Sequence, residues 1–136
     1  MTEYNLIDLS VTSEFWEGQI IEILITDRHS IKKKLILANF YRPPNSTHEH
    51  IYNFVNNLNE IFDSLKNYKF VVVIGDFNIN LLKFKENVAI NDFLDSIMAS
   101  GYLPKITVPT RLTQRRGTLI DNIFVKLSNN NSSTTA

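Results

Sequence analysis

Phe70-Val71-Val72-Val73-Ile74-Gly75-Asp76-Phe77-Asn78 decides the fold class, because an unbroken apolar, largely β-branched run leads straight into a glycine and a carboxylate. A strand apolar at every position is expected where both of its faces are covered, as inside an α/β sheet. Its carboxyl end delivers Gly75 and Asp76 to the edge where ligands of open α/β sheets collect. Side chains alternate along an extended segment, so Asp76 and Asn78 are expected to point one way while Phe77 turns into the core; Gly75 permits close backbone approach. A carboxylate and an amide oxygen are hard ligands matched to magnesium, and an asparagine amide also holds water or a phosphate oxygen. On spacing alone, a turn aspartate after an ordinary strand explains Asp76 as well as a site does.

Working outward toward the amino terminus, Ile51, Phe54, Val55, Leu58, Ile61, Phe62 and Leu65 recur at steps of three and four, which places them on one helical stripe that a sheet can bury. Ser46-Thr47-His48-Glu49 has the spacing of a capping box at that helix's start. Pro43 and Pro44 forbid a central strand from continuing, since neither donates a ladder hydrogen bond. Before them, Gln19 to Thr26 and Leu35 to Tyr41 read as two adjacent antiparallel strands, joined by the polar stretch Asp27 to Lys34. Toward the carboxyl terminus, Ile90, Phe93, Leu94, Ile97 and Met98 predict a second amphipathic helix, with Gly101 placed for a left-handed exit. Leu119 to Val125 predicts a final strand in which Asp121 and Asn122 interrupt an apolar run. Residues 128–136 are too polar to repay the entropy of ordering and are expected to form a disordered tail, leaving one domain over 1–127.

At 136 residues the chain can bury a sizeable core, and its 43% hydrophobic content is that of a globular protein. The absence of cysteine excludes disulfides, thiolate metal sites and cysteine nucleophiles, so any metal must be held by oxygen ligands or histidine. No apolar run is long enough to span a membrane, and the acidic, polar start lacks the features of a signal peptide; an intracellular location, nuclear or cytoplasmic, is expected. The net charge is zero, so no global field draws the chain to nucleic acid and basic clusters must be judged locally. Arg28, Lys32, Lys33 and Lys34 read as a solvated hairpin turn, whereas Arg111, Arg115 and Arg116 stand near Asp121 and suit phosphate contact.

Asp121 is singled out because a charge inside an apolar strand is costly without a partner or pocket, although an exposed face or edge bulge explains it equally. Tyr41 and Arg42 end a strand and could offer a phenol and a guanidinium to a phosphate; such a pair is more often packing and surface. His48 and His50 flank a helix start, where histidine is usually solvated or capping. No Ser-His-Asp constellation, phosphate-cradling glycine loop or His-Glu-x-x-His motif is present.

Taken in order, Asn39-Phe40-Tyr41-Arg42-Pro43-Pro44, Val73-Ile74-Gly75-Asp76-Phe77-Asn78, Pro109-Thr110-Arg111 and Thr118-Leu119-Ile120-Asp121-Asn122-Ile123-Phe124 resemble the endonuclease/exonuclease/phosphatase family. Within it the chain looks most like the endonuclease domains of jockey-type non-LTR retrotransposons, in which the domain precedes a reverse transcriptase. The resemblance runs from about Trp16 to Val125 and implies a four-layer α/β sandwich of two mixed sheets flanked by helices, of which this chain would be the carboxyl-terminal portion. It also implies magnesium-dependent cleavage of a DNA phosphodiester. Asp76 would orient or deprotonate the attacking water, and Asn78 would bind the phosphate or hold that water. Tyr41 would lie near the phosphate. Asp121 would orient a catalytic histidine and sit near the metal. Arg42 and Arg111 would contact the DNA phosphate.

The family pattern also has an earlier segment carrying a metal-binding glutamate and a later Ser-Asp-His segment; neither is matched here. The resulting expectation is a fragment of the endonuclease, inactive alone, with Mg2+ as the cofactor of the intact domain and DNA binding weakened or lost. The alternatives are a non-catalytic nucleic-acid-binding or interaction module, and an active phosphatase or lipid phosphodiesterase relative.

Overall fold

The computed structural model describes residues 2–7, 16–44 and 47–126. The chain runs through β1 (Thr2–Ile7), β2 (Glu17–Thr26), β3 (Lys32–Tyr41), α1 (His48–Ser64), β4 (Phe70–Asp76), a 3-10 turn (Leu81–Lys83), α2 (Val88–Ala99), β5 (Tyr102–Pro104), β6 (Arg111–Leu112), β7 (Gly117–Thr118) and β8 (Asp121–Lys126). A six-stranded mixed sheet has the order β1-β2-β3-β4-β8-β5, and β6 and β7 form a separate ribbon. Only the β3–β4 pair is parallel among these, as a crossover through α1 requires. This mixed α/β architecture is the expected class.

The helix stripe is buried as its spacing predicts: Ile51, Phe54, Val55, Leu58, Ile61, Phe62 and Leu65 all lie in the core. They meet Ile36, Ala38 and Phe40 of β3, Val71 and Val73 of β4, and Phe124 of β8. Phe54 is the hub of an aromatic cluster, with Trp16, Phe40, Phe77 and Phe93 ring centroids 5.8 to 6.3 Å away. The start of α1 is one residue later than the capping spacing predicts. Thr47 is the cap, its Oγ1 accepting from the His50 amide (3.3 Å), while His50 Nδ1 accepts from the Thr47 amide (3.4 Å). His50 therefore takes the reciprocal place expected of Glu49, and Ser46 lies outside the described residues. At the other end of α2, Gly101 adopts φ +92°, the predicted left-handed exit.

Two expectations are corrected. The β2–β3 connection is Asp27 to Ile31 only; Lys32, Lys33 and Lys34 belong to β3, paired with Thr26, Ile25 and Leu24. The Asp27 carboxylate closes that short turn by accepting from the His29 and Ile31 amides, which frees the lysines to extend the ladder. The second concerns β4, which is covered on one face rather than two among the described residues. Val71 and Val73 are fully buried beneath the helices, whereas Phe70 is 44% exposed and Val72 and Ile74 only half-buried. The same alternation places Leu35 and Leu37 of β3 and Ile123 of β8 on that open face. An all-apolar strand has no period to tell one covered face from two. The predicted tail, 128–136, lies outside the described residues.

Candidate active site

Register brings the predicted residues together. Tyr41 is the β3 partner of Asp76, and Asp76 is the β4 partner of Asp121, so the three stand in one row across β3, β4 and β8. In-register residues on neighbouring strands share a face, and strand spacing is about 4.8 Å. Asp76 and Asp121 thus set two carboxylates side by side. Tyr41 is 43% exposed and the two acids are half-buried. The row lies at the carboxyl ends of the parallel pair, as the position of Asp76 implied.

Gly75 makes the row possible by a contact inside the sheet. A Cβ at this position would collide with the Phe40 backbone carbonyl, so the close approach it permits is between β4 and β3. Beyond Asp76 the strand ends abruptly. Phe77 buries its ring, 1% exposed, and its amide donates to the Ile120 carbonyl (2.8 Å). Asn78 departs from the extended alternation expected of it: its φ is +48°, in the left-handed region that asparagine tolerates.

Arg42 holds this turn. Its guanidinium is 2% exposed, with Nε donating to the Phe77 carbonyl (2.7 Å) and Nη2 to the Asn78 carbonyl (2.8 Å). In return, Asn78 Nδ2 donates to the Arg42 carbonyl (2.6 Å), and the Arg42 amide donates to the Asp76 carbonyl (2.9 Å). Burial lowers the Arg42 pKa and the nearby Asp76 charge raises it; guanidinium stays protonated regardless. The donors that the sequence pattern directed at a phosphate are engaged with the loop that carries Asn78.

Arg111 is the solvent-side cation. Its Nη2 lies 3.4 Å from Asp76 Oδ2, and the arginine is more than half exposed. The β6–β7 ribbon carries it over the row, where the Asp121 amide donates to Thr110 Oγ1 (3.4 Å). The Asp121 carboxylate has no ion pair among the described residues, whose ion pairs are Arg111–Asp76 and Lys66–Asp63. Two adjacent carboxylates, one of them paired with Arg111, form a donor set compatible with magnesium, which typically uses one or two carboxylates and completes its shell with water and phosphate. No group of three His, Cys, Asp or Glu side chains arranged to hold a metal occurs among the described residues.

Two supporting asparagines were not singled out from sequence. Asn122 is buried, its Oδ1 accepting from the Ile106 amide (3.2 Å) and Nδ2 donating to the Ile106 carbonyl (2.9 Å), so it ties the segment leading to β6 onto β8. Asn80 Oδ1 accepts from the Leu119 amide (3.1 Å) and caps the 3-10 turn. Period-two alternation with core-facing Phe124 was the available indication that Asn122, unlike Asp121, points inward.

Comparison with known proteins bears on the family and the fold. Residues 35–136 match the family model described as endonuclease-reverse transcriptase. Among solved structures, the endonuclease domain of TRAS1, a telomere-specific non-LTR retrotransposon, aligns with a TM-score of 0.63 at 13% identity, over 94% of this chain and 55% of that one. An endonuclease/exonuclease/phosphatase family protein from Bacteroides thetaiotaomicron gives 0.55 at 12% identity, over 80% and 40%. A humanized D. rerio TDP2 gives 0.53 at 15%, over 93% and 51%. The chain spans about half the length of these structures. A search of curated proteins found no match. With the family model covering most of the chain, the chain belongs to the endonuclease-reverse transcriptase family, and it has the endonuclease/exonuclease/phosphatase-like fold of these neighbours.

Proposed function

We propose that the Tyr41–Asp76–Asp121 row is part of the active face of a DNA endonuclease that hydrolyses phosphodiesters with magnesium, and that this chain by itself does not cleave. The observation carrying the proposal is the in-register row, with Asn78 held just beyond it by Arg42. Asp76 orients the attacking water and accepts its proton. Asn78 Oδ1, which makes no hydrogen bond among the described residues, faces the same chemistry as an acceptor for that water. Tyr41 and Arg111 approach the phosphate from the solvent side, Arg111 exchanging its long contact with Asp76 for a charge-assisted bond to phosphate. Asp76 and Asp121 would hold Mg2+, which supplies neutralisation of phosphate charge and a more acidic water. Arg42 acts as a positioning residue.

DNA as substrate is supported by the family description and by TRAS1, whose matched part is an endonuclease domain of a retrotransposon. The same description supports a parent protein with a reverse transcriptase domain and an intracellular place of work. Among the described residues, no helix is long and apolar enough to cross a membrane. Inactivity of the chain alone is supported by its spanning 55% of the length of the TRAS1 endonuclease domain structure.

Plasmid nicking with Mg2+ tests the proposal. The chain alone should leave supercoiled plasmid intact, and reproducible nicking lost in Asp76→Ala would refute its inactivity. Joined to the remainder of an endonuclease domain it should nick, and Asp76→Ala should then slow nicking by at least about 100-fold. The second reading is a non-catalytic binding module, favoured by the exposed Arg111 guanidinium that the β6–β7 ribbon presents to solvent. Salt-sensitive DNA binding with no nicking even in the joined domain would establish it.

A further inference from the structure

The open face of the six-stranded sheet carries a row of aliphatic side chains that crosses every strand. Leu6 of β1 pairs with Ile21 of β2, Ile21 with Leu37 of β3, Leu37 with Val72 of β4, Val72 with Val125 of β8, and Val125 with Leu103 of β5. Directly opposite residues share a face, so all six stand together, while Ile36, Ala38, Val71 and Val73 turn the other way into the core. The flanking rows are apolar too, with Ile23, Leu35 and Phe70 on one side and Ile74 and Ile123 on the other. The helices pack on the opposite face, and on this one Leu6 is 65% exposed, Phe70 44% and Ile123 38%. We propose that a second copy of the chain closes this face, the two sheets stacked about a two-fold axis that runs along the six-residue row.

Area, twist and charge select that partner. From Phe70 to Ile74 the face is about 13 Å long, and six strands span about 24 Å; with side-chain width added, each copy offers roughly 500 Å². Two copies together bury about 1,000 Å², the size at which a specific interface begins. Two identical sheets have identical twist, so they can stack at the roughly 30° of aligned sandwiches. Aligned stacking leaves two choices of axis, and charge decides between them. At one end of the face stand Glu17, Asp76 and Asp121, in the row of Tyr41; at the other stands Lys33, paired with Ile25. An axis along the strands would set acid end on acid end. An axis across the strands sets each acid end against the other copy's Lys33. Leu37 lies midway between Lys33 and Tyr41, so the same operation stacks the aliphatic row on itself. The inference goes beyond the nuclease reading and does not depend on it.

Sedimentation equilibrium of the full chain across the micromolar range should show a monomer–dimer equilibrium. Leu37→Lys puts like charges face to face on the axis and should weaken dimerisation by at least about 100-fold. Because Leu37 points away from the core, that variant should keep the circular dichroism of the parent. Lys33→Glu, at an exposed position, should weaken dimerisation about tenfold. The chain has no cysteine, so single cysteines locate the axis directly. A short bismaleimide should join Leu37→Cys to its counterpart across sheets about 10 Å apart. Lys33→Cys, although more exposed, should not join to its counterpart, since each stands four strand steps from the axis and the two are about 26 Å apart along the strands. A chain that stays monomeric throughout, as it would if this face accepts only the remainder of an endonuclease domain, overturns the inference. So does cross-linking at Lys33→Cys in place of Leu37→Cys, which marks the other axis, and so does association that neither Leu37→Lys nor Lys33→Glu weakens.

Discussion

Replacing Arg42 by alanine removes a buried guanidinium that links the end of β3 to the turn at Asn78. Two charge-assisted bonds disappear, at 2.7 and 2.8 Å, and the carbonyls of Phe77 and Asn78 lose these donors. Hydrogen bonds to charged groups contribute about 1.5–3 kcal/mol each, and stranding a buried polar partner costs about 1–3 kcal/mol. Because these effects overlap, the expected loss is about 3–5 kcal/mol, a large part of the roughly 5–15 kcal/mol that stabilises a domain. With a urea m-value of about 1–3 kcal/mol/M, the unfolding midpoint should fall by about 2 M. Arg42→Lys should recover about half, since a single ammonium cannot span both carbonyls as the planar fork does. Amide hydrogen exchange should show protection lost first over residues 77–80, where Asn78 is held at φ +48°. A stability for Arg42→Ala within about 1 kcal/mol of the parent, or equal protection at 77–80, would refute the clamp.

Gly75→Ala should destabilise the chain by about 3 kcal/mol or leave it insoluble, because the new methyl meets the Phe40 carbonyl in a ladder that cannot yield; a wild-type thermal midpoint would contradict this. Asn122→Ala should cost about 2–4 kcal/mol by freeing Ile106 from β8, and should raise exchange at Ile106 while leaving α1 protected. The Tyr68 hydroxyl has its pKa raised above 10.0, first by its hydrogen bond to Glu22 and then by burial and the Glu22 charge. Its contribution to stability is therefore complete below pH 10.0 and is lost as the pH rises through the raised folded value, since the unfolded chain releases that proton first. Denaturant midpoints should decline less steeply in this alkaline range for Tyr68→Phe, and an unchanged decline would count against the bond.

Much of the fold was legible in local pattern. The α1 stripe, the Gly101 exit, the antiparallel β2–β3 pair and the stop at Pro43 each follow from periodicity or backbone chemistry acting within a few residues. The capping residue was misplaced by one because histidine can play the reciprocal role usually read from glutamate or glutamine. The run 32–34 was misassigned to a turn because three lysines carry little strand propensity; the ladder with β2 overrides it.

By itself the sequence determined which residues would occupy the carboxyl end of β4, and the order of motifs around Tyr41, Asp76 and Asp121 identified their family. Those are properties of short segments, and short segments carry them. Tertiary structure alone decided that the three residues share one row, because register between strands 35 and 45 positions apart is set by packing of the whole sheet. It also committed the buried Arg42 guanidinium to the Asn78 turn, since the carbonyls it satisfies come together only after β3 and β4 pair. The opening motif is thus a strand end by sequence; neighbouring strands and one buried arginine give it the shape of a site.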